Sequence, residues 1–300
     1  MKTGFIAINK PQDYTSFDVV AVLRRLFWEK RIGHTGTLDP MATGVLVVLV
    51  GYATKAVPFL EDAHKKYVAD FKFGVATDTQ DITGKVIETC DKKVSKEELE
   101  NILEFFRGEI SQIPPMYSAV WADGKRLYEL ARQGIEVERK ERKVVISELN
   151  LLSFDEETQC GKIEIRCSKG TYIRTLCADI GEKLGTLAVM TALHRTEASL
   201  CTIEDTITIE EAKELAEKGE LKLQRIDKLF MDYEAIEITS GQTVRFKHGN
   251  SLILSRVFDD ENYEDGKVYR VYHKDEFLGL GKVRTDRNEL AVLKLFVFDE

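Results

Sequence analysis

The segment from Gly33 to Gly44 concentrates residue types that can do chemistry. Within twelve residues it holds three glycines, three threonines, His34 and Asp39. Its glycines permit close backbone approach and positive φ angles, and Pro40 restricts the backbone beside the aspartate. A carboxylate fixed in this way can act as a nucleophile or a base. Composition alone, however, favours the simpler interpretation, an ordinary turn aspartate in a Thr/Gly-rich loop.

The elements that must position this loop follow from hydrophobic patterns. The continuous apolar run Val45–Val50 lies between two glycines and predicts a buried strand directly after the loop. A strand is also predicted over Phe5–Ile8, which ends at Lys10-Pro11. Residues 67–74 alternate between apolar and polar, which predicts a strand with Tyr67, Phe71 and Phe73 on one face.

Helices are predicted where a capping residue precedes apolar residues at helical spacing. The predicted caps are Ser16, Ser95, Thr171 and Thr208. Residues 31–40 are predicted as a loop, and Gly108 is expected to close the helix that follows Ser95. After Phe230 the helix signals vanish, and short alternating runs predict a separate β domain. We therefore predict an α+β fold with a mixed or antiparallel sheet over residues 1–230, and a small domain over 231–300.

Composition excludes several classes of protein. The chain has 300 residues, 43% of them hydrophobic and 31% charged, which is typical of a globular protein. Its net charge of −8 argues against nucleic-acid binding through overall charge, an argument that does not extend to a local basic groove. Five cysteines without C-x-x-C spacing favour a reducing cytoplasm over a disulfide framework or a zinc site. The sequence shows no membrane-spanning segment, and without a Walker A or G-x-G-x-x-G motif a nucleotide cofactor lacks support.

Several longer motifs, in order along the chain, resemble the TruB family of tRNA pseudouridine synthases. They are Asn9-Lys10-Pro11 with Thr15-Ser16, Gly33–Lys55, Lys66-Tyr67 with Thr77–Asp81, Gln112–Ala119, Leu127–Gly134, Lys169–Arg174, Leu193–Thr196 and Phe277–Gly281. One departure is His194, where bacterial members usually carry arginine. It weakens the assignment of that side chain to an RNA contact.

The resemblance implies both a fold and a function. The fold would be a pseudouridine-synthase-like curved sheet with flanking helices and a central cleft, an RNA-clasping insertion at about 112–143, and a C-terminal PUA-like β barrel. The reaction would isomerise uridine 55 in the T loop of tRNA to pseudouridine by base flipping. It implies no cofactor and no metal. The partner would be the tRNA T-stem-loop, with no membrane, no obligatory protein partner and no guide RNA, and the protein would be a monomer.

Three residues would carry the catalysis. By resemblance Asp39 is the nucleophile, attacking either C6 of uracil or C1′ of the ribose. Arg174 is its ion-pair partner, since a planar guanidinium suits a two-point contact; alone it reads as a solvated helix residue. Tyr67 would support the base and offer its hydroxyl to the C5 proton, but its register equally suits a core residue.

Five further residues are implied to bind substrate: His34, Tyr172, Leu193, Lys10 and Arg132. His34 would stack into the RNA, or brace its loop through a hydrogen bond. Tyr172 and Leu193 are pocket walls or ordinary core residues. Lys10 suits the positioning of a loop better than chemistry, and Arg132 belongs to the RNA-clasping insertion.

Three rival functions are weaker. A catalytically idle RNA-binding module would favour Asn or Ala at position 39, where Asp39 stands. A guide-RNA-dependent synthase subunit would need partner proteins, whereas the insertion argues for a stand-alone enzyme. A metal-dependent hydrolase would need a ligand-like spacing of His, Asp and Glu, which the sequence does not offer.

Overall fold

The computed structural model describes residues 2–60, 64–122, 124–258 and 263–297. The strands are β1 Gly4–Lys10, β2 Ile32–His34, β3 Thr43–Val50, β4 Lys65–Phe73, β5 Val75–Thr77, β6 Val86–Thr89, β7 Gly108–Gln112, β8 Trp121–Ala122, β9 Lys125–Arg126, β10 Arg142–Asp155, β11 Cys160–Cys167, β12 Ala188–Ala198, β13 Cys201–Thr202, β14 Glu234–Glu237, β15 Leu252–Ile253, β16 Val268–His273, β17 Glu276–Arg284 and β18 Glu289–Leu295. The α-helices are α1 Ser16–Phe27, α2 Val57–Leu60, α3 Lys96–Leu103, α4 Leu127–Arg132, α5 Ile173–Lys183, α6 Ile209–Glu217 and α7 Ser240–Lys247.

A nine-stranded mixed sheet organises the larger part of the chain, which confirms the predicted α+β class. Its main order is β1-β3-β12-β4-β11-β10-β7, with β2 added on β3 and β13 on β12. Most neighbours are antiparallel, but β3 and β12 meet in a short parallel pairing through Thr43–His194 and Gly44–Arg195. We call this junction, together with the loop 35–42 that leads into β3 and the side chains that contact this loop, the seam.

Both faces of β3 are buried, which explains its unbroken apolar sequence. Leu46, Val48 and Val50 point towards α1 and α6. The alternate residues, among them Val45 and Val47, belong to a second core that also includes residues of the C-terminal sheet. Only Thr43, at the start of the strand, is polar and partly exposed.

The other half of the nine-stranded sheet packs against α3 and α5. The shared core contains Phe71 and Phe73 from β4 and Leu99 from α3, and reaches the loop before β3 through Leu38. Tyr67 lies at the end of this core nearest the seam. Its ring shares this core with Leu38 and Ala42, so the sheet packs against the segment that carries Asp39.

A five-stranded sheet forms the C-terminal part, in the order β14-β16-β17-β18-β15. Its pairings are antiparallel except for β14 with β16. Phe277 and Phe296 belong to the same apolar cluster as Phe5 and Val47. The two sheets thus share a hydrophobic core. Among the described residues, no helix is long and apolar enough to cross a membrane.

The insertion leaves and rejoins the nine-stranded sheet at neighbouring points. Strands β7 and β10 are antiparallel, and Gln112 faces Arg142 where the chain departs and returns. Between them lie the β8–β9 hairpin and α4. The insertion is therefore attached to a rigid base formed by two paired strands.

Two predicted helix caps are wrong. Thr15 caps α1, because its hydroxyl accepts the Asp18 backbone N–H at 3.1 Å. The hydroxyl of Ser16 instead accepts the backbone N–H of Leu38 at 2.9 Å, which ties the helix to the loop before β3. At α5 the N-cap is Tyr172, while the hydroxyl of Thr171 donates to the Ser168 carbonyl.

Three predicted boundaries also need correction. The prediction of no helix after Phe230 is wrong, since α7 begins after a capping box of Thr239 and Gln242. It buries only Thr243 and Phe246, so its apolar stripe is too short to register as a helical pattern. The helix after Ser95 ends as a 3-10 turn at residues 104–106, Gly108 starts β7, and β2 forms within the predicted loop 31–40.

Candidate active site

Asp39 and Arg174 meet at the seam in a two-point ion pair. The Arg174 Nε lies 3.0 Å from Asp39 Oδ2, and its Nη2 donates to Oδ1 at 3.3 Å. The arginine side chain is 6% exposed, whereas the aspartate side chain is 34% exposed. The guanidinium is therefore enclosed, while the carboxylate keeps an open side.

The remaining contacts of Arg174 fix its orientation. Nη1 donates to the Thr79 carbonyl at 3.1 Å and lies 3.4 Å from Asp81 Oδ2, and Nη2 also donates to the Tyr117 carbonyl at 3.0 Å. Asp81 is itself buried and accepts hydrogen bonds from Thr79 and Thr83 on its other oxygen. Sequence reasoning missed Asp81 as a site residue, although it is the last residue of the family-like motif Thr77–Asp81.

Burial and nearby cations shift the pKa of the Asp39 carboxyl in opposite directions. Burial raises the pKa of its carboxyl, and Arg174 opposes this shift most strongly. Asp81 raises the pKa further, and Lys10 lowers it. The ion pair thus opposes part of the effect of burial, and the pKa of Asp39 stays above its ordinary value.

Lys10 binds the loop that carries Asp39 through a backbone carbonyl. Its side chain is fully buried, and Nζ donates to the carbonyls of Pro11, Tyr14 and Pro40 at 2.9, 2.5 and 3.1 Å. Burial lowers the pKa of Lys10 to about 8, while Asp39 acts to raise it. The contact with Pro40 suits a loop-positioning residue, because that carbonyl directly follows Asp39 in the chain.

Tyr67 and Leu193 lie on adjacent strands, β4 and β12, and each is 7% exposed. Both belong to the core cluster that includes Leu38 and Ala42 of the neighbouring loop. Burial raises the pKa of the Tyr67 hydroxyl above its ordinary value. Core packing accounts for both side chains, and their contact with a substrate stays a prediction.

His34 ends β2 beside an aromatic side chain of α1. Its ring lies edge-on to Phe17, with centroids 5.7 Å apart. Nδ1 is buried and makes no hydrogen bond to any residue that the structure describes. Burial, aided by the charge of Arg195, lowers the His34 pKa, so the neutral ring is favoured at pH 7. His194 differs, since its Nδ1 lies 2.8 Å from Thr43 Oγ1 across the seam.

Tyr172 joins α5 to the base of the insertion. The side-chain amide of Gln112 donates to the Tyr172 carbonyl at 3.2 Å, and its oxygen accepts the Tyr172 N–H at 3.0 Å. Arg132 is exposed on α4 and stacks 5.5 Å from the Tyr128 ring. None of its described contacts reaches Asp39 or Arg174, so the structure does not bring Arg132 into the same group.

Arg195 is the second residue that sequence reasoning missed. It is fully buried on β12, and it donates to the carbonyls of Val45 and Gly36 at 2.7 and 3.1 Å. Gly44 lets the backbones of β3 and β12 approach each other, because a Cβ there would lie 2.2 Å from the Arg195 carbonyl oxygen. The quoted segment Leu193–Thr196 contained the residue, but nothing in its composition indicates burial.

Two family models match consecutive parts of the chain. Residues 24–173 match the model described as TruB family pseudouridylate synthase (N terminal domain), and residues 174–236 match tRNA pseudouridylate synthase B C-terminal domain. The chain belongs to the TruB family. Members of the TruB family are isomerases, and this chain is accordingly an enzyme of that class.

Curated relatives extend the TruB match over nearly the full length. The chain is 43% identical to tRNA pseudouridine synthase B of Clostridium tetani over 98% of this chain and 99% of the relative. It is 46% identical to the Fusobacterium nucleatum protein of the same name over 94% and 96%. A solved structure titled as a Cbf5-Nop10-Gar1 complex matches with a TM-score of 0.75 at 25% identity, covering 98% of this chain and 85% of that one.

The side chains around Asp39 combine a carboxylate, a buried cation and a phenol. Arg174 fixes the orientation of the Asp39 carboxylate. The phenol hydroxyl is that of Tyr67, on strand β4, which pairs with β12. Within the described ranges, no group of three His, Cys, Asp or Glu side chains is arranged to hold a metal ion. The chemistry that these side chains offer is nucleophilic attack and proton transfer.

Proposed function

We propose that this chain converts uridine 55 in the T loop of tRNA into pseudouridine, with Asp39 as the nucleophile. The observation that carries the proposal is the two-point ion pair between a partly open Asp39 and an enclosed Arg174. The relatives named tRNA pseudouridine synthase B support tRNA as the substrate.

The reaction breaks the bond between N1 and C1′ and forms a bond between C5 and C1′. Asp39 assists by adding to C6 of the base or to C1′ of the ribose, and it is released when the new bond has formed. Only the carboxylate form can add. Arg174 keeps that form available in a site where burial alone would protonate it.

The remaining side chains of the site suit the handling of a flipped base. The target base must leave its stack before it can turn. Tyr67, Leu193 and Tyr172 form the walls of the pocket, and His34 fills space that the base vacates. The Tyr67 hydroxyl accepts the C5 proton at the end of the reaction.

The parts of the chain divide the work. Residues 1–230 carry the catalytic site, the insertion at about 112–143 with Arg132 clasps the RNA, and residues 231–300 form a PUA-like RNA-binding domain. The five-stranded C-terminal sheet and the attachment of the insertion to β7 and β10 support this division. The enzyme acts in the cytoplasm as a monomer, without guide RNA or protein partner.

Asp39→Asn tests the proposal directly. The variant is incubated with unmodified tRNA transcript, and pseudouridine is mapped by position. We expect it to bind tRNA within a few-fold of wild type and to form no pseudouridine, because an amide cannot act as the nucleophile. Asp70→Asn is the matched control, since this β4 carboxylate pairs with Lys162 at the surface.

A transcript with cytidine at position 55 tests the site specificity. Wild-type protein should leave it without pseudouridine. Substantial product from Asp39→Asn would remove Asp39 from the nucleophile role, and product at another uridine of the cytidine-55 transcript would refute the specificity for position 55.

A further inference from the structure

Arg195 poses an electrostatic problem that its hydrogen bonds do not solve. It is the largest of the fully buried side chains, and its cation forms no salt bridge with any described carboxylate. Nε and Nη2 bind the carbonyls of Val45 and Gly36, while Nη1 makes no hydrogen bond to a described residue. A buried charge without a counter-charge destabilises a fold, so a neutral residue of the same size would serve packing better.

The register of the sheet places this charge opposite Tyr67. Arg195 on β12 and Tyr67 on β4 are direct antiparallel partners, which puts both side chains on the same face. Burial has the largest influence on the pKa of the Tyr67 hydroxyl and raises it, and of the nearby charges that of Arg195 opposes the rise most strongly. Cys167 from β11 and Asp39 from the loop also face the hydroxyl, and both act in the opposite direction.

We propose that Arg195 is a positioning residue whose fixed cation stabilises a transient phenolate on Tyr67 during proton transfer. The inference rests on the proposed function, in which the Tyr67 hydroxyl handles the C5 proton. It adds a reason for burying an uncompensated arginine at the seam. The charge is matched only when the reaction creates an anion beside it.

A single phenol can complete the proton balance of the isomerisation. The product carries one proton more on N1 than the substrate and one fewer on C5. As the bond from N1 to C1′ breaks, the Tyr67 O–H gives its proton to N1 and becomes a phenolate. After C5 bonds to C1′, the phenolate takes the C5 proton, and that C–H electron pair restores the C5–C6 double bond. Tyr67 and Asp39 end unchanged, and no external acid or base is needed.

The geometry of the base makes one group sufficient. Rotation of uracil about the axis through C6 and N3 exchanges the positions of N1 and C5. A hydroxyl near the reacting face therefore meets N1 before the rotation and C5 after it. Arg195 does not touch the base in this scheme. It acts through Tyr67.

The test combines single-turnover tritium release from C5-labelled tRNA with a double-mutant cycle. The variants are Arg195→Met, Tyr67→Phe and both together, at saturating enzyme. We expect each single variant to slow release by roughly 100-fold, the scale of general acid–base catalysis. The double variant should be no slower than Tyr67→Phe alone, because Arg195 has nothing left to stabilise. Additive losses would overturn the proposal and assign Arg195 to loop support.

A chemical rescue separates electrostatics from packing. Replacing Tyr67 by a difluorotyrosine lowers the intrinsic pKa of the phenol, so its anion needs less help. In the Arg195→Met background this replacement should restore most of the tritium release, and Arg195→Lys, which keeps the charge, should be impaired less than Arg195→Met. Failure of the fluorinated tyrosine to restore release would contradict the proposal, because a packing defect is indifferent to phenol acidity.

A control variant and the Tyr67→Phe result keep the outcomes distinguishable. Ser199→Ala removes a buried hydrogen bond of 3.1 Å from Ser199 to Thr35, which lies in the loop that carries Asp39, and it leaves Arg195 in place. It should lower thermal stability and leave single-turnover release unchanged. If Tyr67→Phe itself releases tritium normally, the hydroxyl role in the proposed function fails. If it is slow and the cycle is additive, only the role of Arg195 fails.

Discussion

The seam and the insertion use polar residues in opposite ways. At the seam, Arg174 and Lys10 are buried and each binds several fixed partners. In the insertion, Arg132 is exposed and stacks on a neighbour in its own helix. Positioning for chemistry requires groups held to within fractions of an ångström, whereas an RNA contact can adjust on binding. The contrast indicates that seam variants should alter rates, and insertion variants should alter affinity.

Arg174→Lys should give the largest effect and tests the seam. Lysine keeps the charge but cannot bind Asp39 at two points while also contacting Asp81 and the Tyr117 carbonyl. We expect single-turnover pseudouridine formation to fall by roughly 100-fold or more, with tRNA affinity nearly unchanged. Arg166→Lys is the control, since that arginine pairs with Glu197 at the surface. A fall in affinity with a normal rate would reverse the division of roles.

Shortening the insertion tests the other region. Residues 120–136 are replaced by a short Gly/Ser linker, which keeps Tyr117 and the bond from Arg139 to the Pro114 carbonyl. We expect tRNA to bind at least roughly 10-fold more weakly, while single-turnover chemistry at saturating enzyme stays within a few-fold of wild type. Thermal stability should change little, because β7 and β10 remain paired. Loss of chemistry at saturation would show that the insertion completes the active site.

The sequence predicted two strands near the site, β3 and β4, but neither β12, which completes the seam, nor the charges buried there. Alternating apolar and polar residues predict β4, which carries Tyr67, and an unbroken apolar run predicts β3. Both are local signals. Asp81 and Arg195 were missed because charged residues are usually exposed, and only tertiary contacts show that these two are buried.

The boundary at Phe230 shows the same limit on a larger scale. The change from helical to alternating patterns marks where the second sheet begins, but the pattern cannot show that Phe277 and Phe296 share a core with Phe5. Deleting the chain after Phe230 would uncover this apolar surface. A truncated protein is therefore a poor probe of RNA affinity, and point variants are preferable.

Arg132→Gln sharpens the comparison through salt dependence. If Arg132 neutralises a phosphate, its loss should lower affinity modestly for every tRNA and reduce the slope of log affinity against log salt by about one. The single-turnover rate should be unaffected. Lys213→Gln on the acidic helix α6 serves as the control, because the carboxylates around it would repel phosphate. An unchanged slope for Arg132→Gln would remove it from the RNA contact surface.

Lys10 should have the smallest effect on the reaction rate, and its prediction concerns stability. Burial lowers its folded-state pKa from 10.5 to about 8, so between these two values the unfolded chain binds more protons than the folded protein. The contribution of Lys10 to the free energy of unfolding must therefore rise as pH increases from about 8 to 10.5, and must be constant below 8. We expect Lys10→Met, compared with wild type by urea unfolding, to lose relative stability across this window, by about 3 kcal/mol at most. Lys162→Met, which removes an exposed lysine of β11, provides the reference for general effects of pH.

A stability difference independent of pH would contradict this prediction. It would mean that Lys10 is no harder to charge in the folded protein than in the unfolded chain, because its three hydrogen bonds to carbonyls fully replace the water it has lost.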